Sequence, residues 1–337
     1  MKQQWPRRAV GLGILGMAVG LGFASVSQAS QASETSEGKA YPNRMIRLVV
    51  PFTAGGSSDV QARMLADRLG KLYKQAVVVE NRPGAGGHIG GKYVADAPAD
   101  GYTLLLGSIG LHATYGVFKK LTYDPATDLK VITVLAEMPH VVVANPALPA
   151  NDLKQLVALA RKEPNTINFG SAGVGSSVHM IGELFKLTSD APITHVPYKG
   201  STAALNDLLA GQIQLMFENP PTTLAHIRGG KLKALAVTGK ARLPALPDVP
   251  TAIEAGFPAF EATSWTTVAV SAKVPDAIAD KLNADIRKIV SAQEFRQGLS
   301  DQGMTPVANT RDVASKFIAA EKVRWDKVIQ QGRIVAE

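Results

Sequence analysis

The sequence predicts an α/β protein of two lobes joined by two crossing strands, and three observations carry that reading. Short aliphatic, β-branched runs alternate with segments of helical period along nearly the whole chain, as in layered sheets with parallel strands. Two long extended segments, "VITVLAEMPHVVVAN" and "FEATSWTTVAV", fall where a chain would leave one lobe and come back. A strand, a Gly/Ser loop and a helix follow one another at 46–59 and again at 167–181. With 337 residues, 46% of them hydrophobic, there is enough apolar surface for two cores.

Taken in order, "MIRLVV" (Met45–Val50) reads as a strand. "VQARMLADRLGKLY" reads as a helix with Met64, Leu65, Leu69 and Leu72 on one side. "AVVVEN" (Ala76–Asn81) is a strand, "HIGGKYVADA" a short helix and "YTLLLGS" (Tyr102–Ser108) a strand. Strands follow near 131–135 and 140–145, and then the amphipathic helix "LKQLVALARK". "INFGSAG" leads into the helix "VHMIGELFKL", and "ITHVPY" into a helix over 202–210. "IQLMFEN" and "LKALAVTG" are strands, and "TAIEAG" carries Thr251 and Glu254 at capping-box spacing. Ile278, Leu282, Ile286 and Ile289 mark one late helix; Val313, Phe317 and Val328 mark another. The expected division is 41–138 plus 267–337 for lobe 1 and 139–266 for lobe 2.

The N-terminus has the three-part layout of a secretory signal peptide over residues 1–29. Lys2, Arg7 and Arg8 precede the uncharged run "AVGLGILGMAVGLGFA", and small residues at Ser27 and Ala29 flank a cleavage point. An uncleaved anchor is the competing reading, and Arg7–Arg8 raises twin-arginine export against ordinary secretion. Residues 30–40, small and polar, read as a flexible leader. The formal charge is +8, of which those three bases account for the excess over +5. Bases are scattered without aromatic interleaving, so nucleic acid is not an expected partner. Cysteine is absent, which excludes disulfides, zinc–thiolate sites and a cysteine nucleophile.

The chemistry concentrates in two loops. In "FTAGGSSD" the glycines let the backbone approach a ligand, and Ser58, with Gln61 three residues on, can cap the following helix. First-turn amides with partial positive charge bind carboxylate or phosphate. The lysine of a nucleotide P-loop is missing. "GSAGVGSSVH" (Gly170–His179) repeats this chemistry in the other lobe, so the two helix N-termini could pinch a small anion beyond the strand ends. Asp59 either holds the first loop by accepting backbone amides or faces a cationic group of the ligand. "NRPGAGGHIGG" either lines the site or makes a tight turn. Tyr198 and Lys199 stand either at the cleft edge or on a surface turn, and Trp265 reads as core. Catalytic motifs are missing. The six histidines lack metal-ligand spacing, there is no G-x-S-x-G, and Ser171, Ser176 or Ser177 near His179 reads as helix capping. No metal, cofactor or enzymatic role is expected.

In order along the chain stand "YPNRMIRLVVPFTAGGSSD", "VVVENRPGAGGHIG", "APADGYTLLLGS", "INFGSAGVGSSVHMIGELF", "HVPYKGS", "GQIQLMFEN", "GKLKALAVT" and "LPDVPTAIEAG". From Tyr41 to Trp325 this resembles the extracytoplasmic solute receptors of tripartite tricarboxylate transporters, the Bug or TctC family. The resemblance implies a type II periplasmic binding protein fold with a ligand cleft between its lobes. It implies a small organic carboxylate held unchanged by backbone amides, hydroxyls and waters, a two-component membrane permease as partner, a monomer, and a periplasmic location. Residue by residue it points to Phe52, Thr53, Ala54, Gly55, Gly56, Ser57 and Asp59, and from the other lobe to Ser171, Ala172, Gly173 and Ser176. Gly107 and Ser108, and Glu218 and Asn219, are implied neighbours of the cleft, although many relatives carry Asp where Glu218 stands. The alternative role is a sensor of the same fold that signals to a membrane kinase.

Overall fold

A computed structural model describes residues 41–336. The signal-peptide and leader expectations lie outside these residues. The elements are β1 (Ile46–Val50), α1 (Ser57–Tyr73), β2 (Val77–Asn81), α2 (His88–Ala95), β3 (Thr103–Ser108), the single turn α3 (Ile109–His112) and β4 (Leu129–Pro139). Then come β5 (Val141–Ala144), α4 (Leu153–Lys162), β6 (Asn168–Ser171), α5 (Ser177–Ser189), β7 (Thr194–Pro197), α6 (Ser201–Leu209), β8 (Leu215–Glu218), α7 (Pro220–Arg228) and β9 (Lys233–Val237). The chain closes with β10 (Thr263–Ser271), α8 (Asp276–Ser291), α9 (Gln293–Asp301), β11 (Thr305–Pro306) and α10 (Arg311–Gly332). Of these, α3, α7, α9 and β11 have no counterpart in the sequence reading.

The strands form two sheets, ordered β11-β4-β10-β3-β1-β2 and β7-β6-β8-β5-β9. The sheets are mixed rather than wholly parallel. β1 runs parallel to β2 and β3, and β6 parallel to β7 and β8. The crossing segments supply the antiparallel strands. β4 passes through His140 directly into β5, which opposes β8 and β9, and β10 returns antiparallel between β3 and β4. A strand continuing out of one sheet and a strand coming back must run opposite ways where they pair, which is why the crossings break the parallel rule.

Local chemistry accounts for the helices. On α1, Ala62, Leu65, Ala66 and Leu69 are buried while Asp67 and Lys71 pair on the outside. Asp152 caps α4 by accepting from Gln155 N (2.8 Å), and Thr310 caps α10 from Val313 N. Thr251 and Glu254 make both bonds of the expected capping box, at 2.7 and 3.0 Å, although they close a turn and not a helix.

The first sheet buries Ile46, Leu48 and Val50 against Leu65 and Leu69 of α1 and Leu282 and Ile286 of α8. The second buries Phe169, Phe217 and Phe185, with Phe260 beside them at 5.0 Å from the Phe185 ring. Trp325 and Val328 of α10 join this second core. The expected division places the C-terminal helix in lobe 1; at 22 residues, about 33 Å, it is long enough to serve both sheets, and Trp325 and Val328 are buried in one cluster with Phe185 and with Val134 of β4.

Candidate functional site

β1 and β3 run parallel in the first sheet and β6 and β8 in the second, and the chain beyond the carboxyl end of each feeds a helix. A cavity of about 40 Å³, measured as the space open to the centre of a water molecule, lies between the two sets of loops. One side is lined by Phe52, Thr53, Gly56, Ser57, Ser58 and Gln61, with Ser108. The other is lined by Ala172, Ser176, Ser177, Val178, Ser201 and Asn219. The crossing strands contribute Met138, Ser264, Trp265 and Thr266.

These residues occupy the start of five helices. Gly56 precedes α1, Ser108 precedes α3, Ser176 precedes α5, Ser201 opens α6 and Asn219 precedes α7. Only Ser176 caps its helix through its side chain, accepting from His179 N at 3.4 Å. The N-termini of α1, α3, α6 and α7 have no side-chain cap. The first-turn amides of α1, α3 and α6 keep their donor capacity and partial positive charge on the cavity side, whereas α7 opens with Pro220 and Pro221, which have no N–H to donate. The hydroxyls of Thr53, Ser57 and Ser108 are buried and have no hydrogen-bond partner. Buried hydroxyls are ordinarily satisfied, so three unsatisfied in one small cavity mark a place built to meet acceptors. No Asp, Glu, Lys, Arg or His lines it.

Around this lining runs a set of supports. Gln61 donates to Ser57 O and accepts from Thr266 Oγ1 (2.6 Å). Asn219 Oδ1 accepts from Ser264 (3.1 Å), tying the start of α7 to the return strand. Trp265 donates Nε1 to Glu321 of α10 (3.0 Å) and stacks on His112. It is buried, as the sequence suggested, and is also a cavity wall. Across the mouth, Thr202 donates to Ala54 O (3.1 Å), and a Cβ on Gly200 would overlap the Thr53 side chain. The loops of the two sheets are thus in direct contact.

The structure places Phe52, Thr53, Gly56, Ser57, Ser108, Ala172, Ser176 and Asn219 in the cavity wall. Seven other expected residues stand elsewhere, Gly107 among them inside β3. Asp59 is buried behind the loop, where it accepts from Gly55 N (3.0 Å), Asn81 Nδ2 (3.0 Å) and the Arg63 guanidinium (2.9 and 3.1 Å). Of its two sequence readings, the structure has the loop-holding one. Burial pushes its carboxyl up, but the Arg63, Gly55 and Asn81 bonds outweigh this and hold it below the ordinary value. Ala54 and Gly55 are exposed at the mouth. Gly55, at φ +79°, makes the turn that only glycine adopts without strain, whereas Gly56 has ordinary extended backbone. Ser171 is fully buried beneath the second loop, its Oγ 2.6 Å from His195 Nε2 and accepting from Gly173 N (3.1 Å). Gly173 (φ +118°) shapes that turn and does not line the cavity.

Glu218 lies at the end of β8 behind the wall, with no exposure. Its Oε1 accepts from Asn219 N (2.9 Å) and Asn219 Nδ2 (3.2 Å), while Oε2 is buried without a hydrogen-bond partner. Burial raises its pKa against the opposing pull of Asn219, Ser201 and Thr222.

Other sequence expectations are also corrected. Ser58 is inside α1 and lines the cavity; it is not the cap. Of the two readings of Tyr198 and Lys199 the surface turn is the one found: Tyr198 is tied to Asp207 (2.7 Å), Lys199 is exposed, and neither lines the cavity. Ser177 and Val178 lie in the second loop but were not singled out as wall residues, and Gln61 as a wall residue, Met138, Ser201, Ser264 and Thr266 have no counterpart among the expected contacts. The serine after "YKG", opening a helix just as Ser57 and Ser177 do, was the one available signal for Ser201.

Comparison with known proteins is consistent with this geometry. Residues 61–334 match the family described as the tripartite tricarboxylate transporter family receptor. BugT of Bordetella pertussis is 39% identical over 293 residues, covering 86% of this chain and 90% of that protein. Among solved structures, R. palustris Rpa4515 with adipate is similar with a TM-score of 0.85 and 37% identity, over 88% of this chain and 99% of that one. MatC (Rpa3494) from Rhodopseudomonas palustris with bound malate gives a TM-score of 0.82 and 32% identity, over 86% of this chain and all of the other (100%). These matches span nearly all of the described residues in both sheets, and the chain belongs to the receptor family of the tripartite tricarboxylate transporters.

Proposed function

We propose that this receptor captures a small organic carboxylate in the cavity between its two sheets and delivers it, chemically unchanged, to the membrane subunits of a tripartite transporter. It does so in the periplasm, as a monomer. The observation that carries the reading is the convergence of uncapped helix starts with the unpartnered hydroxyls of Thr53, Ser57 and Ser108 in a cavity without ionised side chains. Amide dipoles and hydroxyls supply charge-assisted bonds to a carboxylate in a desolvated cleft without a counter-ion. The cavity is small, which favours compact acids, and two relatives hold dicarboxylates, adipate in one and malate in the other. Ligand contacts are assigned to Thr53, Gly56, Ser57, Ser108, Ser176 and Asn219 of the expected set, and to Ser58, Ser177 and Ser201. Periplasmic residence is supported by the export-signal layout of the first 29 residues; among the described residues no helix is long and apolar enough to cross a membrane.

The test is a thermal-shift screen of protein unfolded and refolded once to strip carried ligand. The panel holds mono-, di- and tricarboxylates, acidic amino acids, aromatic acids and phosphates. A ligand at about a hundred times its Kd adds roughly 2.7 kcal/mol and moves the midpoint visibly. A response confined to carboxylates, with the ligand recovered intact, is expected. A response to phosphates alone, or to nothing in the panel, refutes the assignment.

A further inference from the structure

Behind the wall of the cavity sits a buried carboxyl whose two oxygens are treated differently. Glu218 Oε1 receives both N–H groups of Asn219, and Oε2 receives nothing although it has no access to water. A carboxylate in that position would leave one charged oxygen buried and unsatisfied, a costly arrangement. A carboxylic acid removes the conflict, because Oε2 then carries a proton and needs an acceptor. Two hydroxyls act on Glu218 from neighbouring helices, Ser201 at the start of α6 and Thr222 in the first turn of α7. Thr222 already donates its proton to Asn219 O (3.0 Å). The Ser201 hydroxyl, which reaches Glu218, is also part of the cavity lining.

We propose that Glu218 stands as the neutral acid, donates its Oε2 proton to Ser201 Oγ, and thereby aims the Ser201 hydroxyl proton at the bound carboxylate. Glu218 is then a positioning residue. It also fixes Asn219, whose side chain is held between Glu218 Oε1 and Ser264. The surroundings suit a neutral group. β5 presents Val141 opposite Glu218, and the titratable residue before it, His140, is itself fully buried and pushed down to about 3 by that burial. From β10 the contact is Ser264, reached through Asn219. Burial raises the Glu218 pKa in the same sense.

Deprotonation reverses the arrangement. Ser201 turns its proton toward the new carboxylate and shows a lone pair to the ligand, and a negative charge appears behind the wall. The anionic ligand therefore binds the protonated receptor better, and its affinity falls as pH rises through the Glu218 pKa, by up to about tenfold per pH unit for one linked proton. This rests on the carboxylate-receptor reading above.

Two measurements test it. Infrared difference spectra between the wild-type protein and Glu218→Gln at neutral pH are expected to contain the carbonyl band of one protonated carboxylic acid; only a carboxylate band in its place overturns the proposal. Isothermal titrations with adipate and with malate from about pH 6 to about pH 10 are expected to show Kd rising with pH in the wild type. Glu218→Gln, which keeps a donor toward Ser201, is expected to bind with a flat pH profile. Ser201→Ala is expected to weaken binding by roughly tenfold or more at neutral pH. A flat wild-type profile, or a slope that survives in Glu218→Gln, overturns the linkage. If neither acid binds at any pH, the linkage fails together with the carboxylate reading, and the infrared band distinguishes that failure from an ionised Glu218.

Discussion

Replacing Asp59 by alanine is expected to loosen the first binding loop without touching the cavity wall. The side chain accepts four hydrogen bonds at 2.9 to 3.1 Å, from Gly55 N, Asn81 Nδ2 and two Arg63 nitrogens. Arg63 is mostly exposed and pairs at i,i+4, so its loss is worth only about 0.3–0.5 kcal/mol. Asn81 keeps its bond to Phe52 O (3.1 Å) but loses a charged acceptor, and Gly55 N loses its only one. Bonds to charged groups are worth about 1.5–3 kcal/mol each, and the exposure of Gly55 to water recovers part of the sum. The expected cost is roughly 2–4 kcal/mol, or about 3–6 °C in Tm for a chain of this size. Affinity for the carboxylate falls as well, since the loop must be ordered again on binding. Urea unfolding and calorimetric titration of Asp59→Ala, Asp59→Asn and Arg63→Ala measure both effects. Because the folded pKa of Asp59 lies below its ordinary value of 3.8, its contribution is present above that value and is lost as pH falls through the folded pKa. The difference between wild type and Asp59→Ala therefore shrinks in strong acid. A wild-type midpoint for Asp59→Ala, or an Arg63→Ala as damaging as Asp59→Ala, would refute the anchoring argument.

Gly55→Ala is expected to cost about 1–2 kcal/mol through its left-handed backbone alone, since the nearest atom to the added Cβ is Thr202 Oγ1 at 3.9 Å. Gly56→Val should fold with little loss, its Cβ meeting only Thr53 O at 3.4 Å, but its methyls occupy the cavity and abolish binding; equal affinity in a folded Gly56→Val would count against the site. Thr202→Val removes the hydrogen bond to Ala54 O between the two sheets' loops and is expected to weaken binding by about 2- to 10-fold, chiefly through faster ligand release in stopped-flow traces. In acid, the buried histidines 88, 112, 140 and 179 and the half-buried His195, all pushed down to about 3 or 4 chiefly by desolvation, must charge on unfolding. Stability is full above about 6.5 and falls steadily below it; a denaturation midpoint unchanged between about pH 7 and pH 4.5 would contradict their burial.

The sequence by itself determined most of the elements, the two crossings and the two Gly/Ser loops, though not α3, α7, α9 or β11, because each of those it determined depends on short-range physics. Apolar spacing sets which faces are buried, and glycines and serines mark where a strand must turn into a helix start. The Asp59–Arg63 pair, four apart on α1, was also legible in principle, and it is what turns that carboxylate away from the ligand. What only the tertiary structure decided is convergence. That α3, α6 and α7 bring their first turns to the cavity opened by α1 and α5 follows from the parallel pairing of β1 with β3 in one sheet and of β6 with β7 and β8 in the other, and no local pattern records strand order. The same holds for Ser264, Trp265 and Thr266, which reach the wall because β10 returns between β3 and β4. Burial separates residues that look alike on paper. Ser57 and Ser171 both sit in glycine-rich loops, but Ser57 has an unspent hydroxyl in the cavity, while Ser171 has His195 and Gly173 beneath it. Hydrogen-bond capacity left over after folding is a property of the packed molecule, and it separates the residues that face a ligand from those that hold them there.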